Sequence, residues 1–147
     1  MRNPTRSGIL ASLLLGLLLT SCRLEKEPDI PEDLADFADQ FTIAHVMSED
    51  NPEAYWQLLH WESTADDWKL TVQKAHYFEQ DLKIETITFD PWEEKDLRRF
   101  FPEEMIPNLT PEWIMKVEYL SEPKHQLLLP VGKTDQQWKI VQPISKS

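Results

Sequence analysis

Apolar residues follow three successive patterns along this chain. Gly8 to Leu19 is a single apolar run, GILASLLLGLLL. From Ile30 the apolar positions open to spacings of three and four, the repeat of an amphipathic helix. From Leu82 the period shortens towards two, the repeat of a strand with one buried face.

The helical part divides into three. Ile30, Leu34, Phe37, Phe41 and Ala44 form one stripe, which predicts a helix from Pro31 to about Ser48. Glu32, Asp33 and Asp36 lie in its opening turns, where the helix dipole favours acids. Asn51 is placed to cap a second, short helix from Pro52 to about Trp61, which presents Tyr55, Trp56, Leu58 and Leu59. Ser63-Thr64-Ala65-Asp66 has the form of a capping box with Asp in place of Glu. A third helix would follow to about Phe78 on the stripe Ala65, Trp68, Val72 and Ala75.

The strands come next. Leu82 to Phe89, LKIETITF, is rich in β-branched residues and stops at Asp90-Pro91. A cap-like Asp90-Pro91-Trp92-Glu93 predicts an inserted helix from Trp92 to Phe101, ended by Pro102. Glu93-Glu94-Lys95-Asp96 would be its solvated face. Trp113, Met115, Val117 and Tyr119 alternate on a second strand, Trp113–Leu120. The turn Ser121–Lys124 leads to a third strand, His125–Val131, and the turn Gly132–Gln136 leads to a last one, Trp138–Ile144. Strands this closely spaced form an antiparallel meander. The expected class is α+β, with N-terminal helices on an antiparallel sheet of about four strands. The stripe Leu34, Phe37, Phe41 should pack on Val117, Tyr119 and Trp138, the strongest apolar faces of their elements.

Composition narrows the chemistry. All six Trp, all six Phe and all three Tyr lie beyond Cys22, so material for a packed core is concentrated there. Cys22 is the only cysteine, and no internal disulfide can form. Of three glycines only Gly132 lies outside the first 21 residues, which excludes phosphate-cradling and dinucleotide-binding loops. The Gly-x-Ser-x-Gly elbow of serine hydrolases is absent too.

The first 22 residues carry a pattern of their own. Arg2 and Arg6 precede the apolar run, no acid does, and Leu19-Thr20-Ser21-Cys22 closes it. The run is short for a membrane-spanning helix and has the length of a signal-peptide core. Leu-Thr-Ser-Cys resembles the lipobox of bacterial lipoproteins. That resemblance implies residues 1–21 as a signal peptide, cleavage before Cys22, and two or three acyl chains anchoring Cys22 to a membrane, about 0.8 kcal/mol per buried CH₂. It also implies the outer membrane rather than the inner, because Arg23 stands where an Asp would signal retention. The mature chain of 147 − 21 = 126 residues makes one domain. Its 13 basic against 26 acidic side chains give a net charge of −13. Such a surface repels nucleic-acid phosphates and anionic lipid heads. Residues 22–31, with two prolines and no periodicity, read as a tether of about 30 Å at full extension, and 32–147 as the domain.

Helices, then a strand, then two hairpins: this order resembles the nuclear-transport-factor-two-like, or SnoaL-like, superfamily. The closing segment Gly132-Lys133-Thr134-Asp135-Gln136-Gln137-Trp138-Lys139-Ile140 is similar to that family's last hairpin. The resemblance implies a curved, cone-like sheet around an N-terminal helix, with a pocket between them. The stretch from Asp90 to Thr110 is longer than the family's usual connection.

Candidate chemistry is sparse. His60 with Glu62 and His76 with Glu79 have ligand character, but neither pair brings a third ligand at a fixed spacing, so no metal or cofactor is expected. Asn108-Leu109-Thr110 matches a glycosylation sequon, which a lipobox protein would not use. Trp56, Trp61, Trp68, Trp113 and Trp138 either line a pocket or fill the core. Tyr55, Trp56, His76, Tyr119 and Trp138 are the candidate ligand-binding residues. The expected function is a non-enzymatic envelope lipoprotein that binds a small apolar ligand or docks on an envelope protein. The alternative is a pocket enzyme using acid–base chemistry on residues such as Tyr55, His60, His76, Asp81 and Tyr119. A buried Tyr55–His76 pair facing one cavity would favour that alternative.

Overall fold

The computed structural model describes residues 28–147. The expected signal peptide, Cys22 and the first part of the expected tether lie outside these residues. Three helices precede a sheet: α1, Glu32–Met47; α2, Pro52–Trp56; and α3, Asp66–Glu79. The helical stripe closes as expected, with Leu34, Phe37, Phe41 and Ala44 all buried, while Ile30 stays outside the helix and exposed. Pro52 occupies the first position of α2, and Asn51 precedes it without a side-chain cap. This helix is shorter than expected. After Trp56 the chain leaves it so that Leu59 can bridge to Ile140. The cap of α3 is Ala65 rather than Ser63, whose φ of 59° puts it in the left-handed region.

Four strands form one antiparallel sheet in the order β1-β3-β4-β5, comprising β1, Lys83–Pro91; β3, Trp113–Leu120; β4, His125–Lys133; and β5, Trp138–Ile140. The chain is therefore an α+β protein. On β1 the pairing skips Glu85: Ile84 faces Tyr119, and Thr86 already faces Glu118. This bulge carries Ile84, Ile87 and Phe89 to the same face as Tyr119, Val117 and Met115. On that face Leu34, Phe37, Phe41, Val117, Tyr119 and Trp138 join one buried cluster, the contact expected from their stripes.

Three further expectations are corrected. The last strand is broken. It stops at Ile140, and Pro143–Ser145 (β6) pairs instead with Met105–Pro107 (β2) in a separate two-stranded sheet. The Trp92–Phe101 helix shrinks to a 3₁₀ turn, Glu94–Asp96, and one α-turn, α4, Leu97–Phe100. Asp96 is not on a solvated face. It is buried, and its Oδ2 accepts the Glu93 N–H at 3.0 Å as part of a capping box. Gly132 lies inside β4, against the carbonyl of Thr110. A Cβ there would collide with that oxygen, so only glycine fits.

Asn108 ties the small sheet to the helices. Its Nδ2 donates to the carbonyls of His60 (2.7 Å) and Glu62 (2.9 Å), and its Oδ1 accepts the Gln142 N–H (2.9 Å). Gln142 is itself buried, and its Oε1 accepts from Trp68 Nε1 at 3.0 Å. Among the described residues no helix is long and apolar enough to cross a membrane.

Candidate functional site

Helix α3 stands off the sheet. Only His76 of its inner face is buried, and Trp68, Thr71, Val72, Ala75 and Glu79 border an open space with it. The opposite wall is Leu127, Leu128 and Leu129 of β4. Phe100, Phe101 and Met105 close one side, and Ile140 to Pro143 the floor. The cavity measures about 440 Å³. That is within the usual range for small-molecule sites. Its walls are almost wholly apolar. Tyr55, His76 and Glu79 are the ionisable side chains among its lining residues.

Behind His76 lies a nest of aromatic rings. Its imidazole stacks on Tyr55, 3.6 Å between centroids and 19° from parallel. The edge of Trp56 approaches at 5.2 Å, and His45 at 6.0 Å. His45 Nε2 meets the Leu82 carbonyl at 2.6 Å, and its ring lies 5.6 Å from that of Tyr119. Both nitrogens of His76, Nδ1 of His45 and the Tyr119 hydroxyl are buried without a hydrogen-bond partner. Burial, with His45 beside it, pushes His76 down to about 4, so the ring is neutral at ordinary pH. Burial raises the Tyr55 and Tyr119 hydroxyls above the usual phenol range. It also raises the Glu79 carboxyl, although His125 at 3.3 Å pulls the other way.

The candidates chosen from sequence thus separate. Tyr55 and His76 meet at the cavity. Trp56 touches both rings from behind and does not line it. Tyr119 is sealed in the core at 1% exposure. Trp138 belongs elsewhere, lining a second groove of about 470 Å³ beside α1 with Asp33, Phe37 and Gln57. Of the other tryptophans, only Trp68 reaches the main cavity. His45 is signalled in the sequence only by its place four residues after Phe41, where it extends the stripe of α1. The spacing of His76 and Glu79 suggests only a metal-ligand pair, whereas the structure sets Glu79 against His125. That partner, 46 residues on, comes from the strand.

His60 and Glu62 approach to 3.4 Å. Among the described residues no three His, Cys, Asp or Glu side chains gather as a metal-ligand set. Comparison with protein-family models, with curated proteins and with solved structures finds no match to this chain.

Proposed function

We propose that this chain is a lipoprotein of the bacterial cell envelope, tethered through lipid on Cys22, whose α+β domain binds a small apolar ligand. The anchor rests on the basic start, the apolar run and Leu19-Thr20-Ser21-Cys22. Placement at the outer membrane rests on Arg23, and kinship with the cone-shaped superfamily rests on element order and on the closing segment from Gly132 to Ile140.

One observation carries the ligand reading: a cavity of about 440 Å³ between α3 and β4 whose walls are almost entirely apolar. Apolar surface around a void that is not filled by the protein's own side chains gains free energy when a ligand covers it, roughly 25 cal/mol per Å².

The acid–base enzyme is the second reading, favoured by Tyr55 and His76 meeting at one cavity. Their geometry argues against it. The rings stack face to face, whereas proton transfer needs the ring nitrogen and the hydroxyl in line. Burial also makes the imidazole a weaker base and the phenol a weaker acid than usual. Efficient acid–base catalysts are tuned in the opposite sense, towards the working pH.

The test is chemical. The full chain is isolated from membranes, extracted with organic solvent, and the extract analysed by mass spectrometry. Chains on Cys22 are covalent and stay with the protein. An apolar compound should accompany the native chain and be depleted from Ala75→Trp, which fills the cavity from α3. Identical extracts from the two would overturn the reading.

A further inference from the structure

The cavity has one strongly polar end. Glu79 closes α3 there, with its side chain only 13% exposed. Its Oε1 lies 3.3 Å from Nε2 of His125, a side chain that is 45% exposed and is not among the lining residues. No lysine or arginine borders the cavity, and Glu79 is the sole acid that does. The chain as a whole carries 26 acidic against 15 basic side chains. An anionic ligand would meet repulsion both on approach and at this carboxylate.

We propose that the ligand of this cavity is an amine: an apolar body lying along Leu127, Leu129 and Val72, with one cationic nitrogen against Glu79. This rests on the reading of the cavity as a ligand site and names the ligand's chemistry. At about 30 Å³ per atom in liquid packing, the cavity holds on the order of 15 non-hydrogen atoms. Among the described residues Glu79 pairs with the His125 imidazole and with no lysine or arginine, and a bound amine would bring it a full positive charge. Tyr55 and Trp68 add aromatic surface to which an ammonium group is also attracted.

Three probes of one shape separate the possibilities: 4-phenylbutylamine, 4-phenylbutan-1-ol and 4-phenylbutyrate. Each is titrated by calorimetry against the full chain in lipid nanodiscs, with empty nanodiscs as the blank. The amine should bind about tenfold tighter than the alcohol, the worth of a charge-assisted hydrogen bond, and the acid weakest. Glu79→Gln should bring the amine down to the alcohol and leave the alcohol unchanged. The ranking on the native chain needs no variant and stands if Glu79→Gln fails to fold. Alcohol binding with no preference for the amine overturns the amine assignment and leaves the ligand site intact. Failure of all three probes, or binding that survives Ala75→Trp unchanged, overturns both.

Discussion

His76 lies flat on Tyr55, 3.6 Å from ring centre to ring centre, and neither of its nitrogens has a partner. Burial, with His45 beside it, holds the imidazole neutral at ordinary pH. Its carbon-bound ring protons should therefore titrate by NMR near pH 4. A shift complete by pH 6 would show that the ring is solvated.

Stability should report the same proton. The folded value of His76 is about 4 against 6.5 for a free imidazole, so between these the unfolded chain binds the extra proton. The contribution is full above pH 6.5 and is lost as pH falls through this window, at up to about 1.4 kcal/mol per unit. Glu79 acts oppositely. Its raised carboxyl keeps its proton longer when folded, so its contribution is present at low pH and lost as pH rises through the folded value. In a Glu79→Gln background, denaturant melts between pH 7 and 4.5 should show the His76 slope, and His76→Phe should flatten it. Equal slopes in the two chains would disprove the linkage.

Phe41 is fully buried between the Tyr55 and His45 rings, 5.6 and 6.5 Å away. Phe41→Ala should cost about 3–5 kcal/mol, much of a typical stability of about 5–15 kcal/mol. Thermal and denaturant unfolding measure this. A loss below about 1 kcal/mol would mean that α1 does not plug the sheet.

The amide of Asn108 is oriented by its neighbours, two carbonyls on the nitrogen side and one N–H on the oxygen side. An ionised carboxylate cannot donate to those carbonyls. Asn108→Asp should therefore destabilise at least as much as Asn108→Ala, by roughly 2–3 kcal/mol, despite keeping the shape. Chemical denaturation of both variants tests it. An aspartate as stable as asparagine would show that the His60–Glu62 loop does not depend on this side chain.

The anchor is tested in cells. Growth with a clickable fatty acid should label the native chain, and Cys22→Ala should lose the label and keep its leader uncut. Label on the alanine protein would refute lipidation at Cys22.

Much of the architecture is legible in local pattern. The α1 stripe fixes its own buried face, and Trp113–Leu120 emerges as β3 with the bounds its alternation suggests. Long-range pairing is where pattern fails. Ile140 and Gln142 alternate like a strand, but Gln142 receives the Trp68 indole and pairs with the Asn108 backbone, turning the chain towards Met105–Pro107. Glu93 to Asp96 looks like a solvated charge run because a capping box uses the same residue types. At the site, Tyr55 and His76 stand out by type. Their stacking and the void beside Glu79 depend on how far α3 stands from β4, which no spacing along the chain encodes.

The bulge at Glu85 makes β1 behave like a reading frame with one silent letter. Ile84 and Ile87 are three apart, yet both face the core because Glu85 opposes no residue of β3. Deleting Glu85 would restore strict alternation and leave Ile84, Ile87 and Phe89 on the same face. Deleting Thr88, only three residues away, would shift everything on one side of it by one position and turn those side chains towards solvent. Tolerance to loss of a residue along this strand is thus set by phase rather than by exposure, and chains related to this one should vary in length at Glu85 before they vary anywhere else in β1.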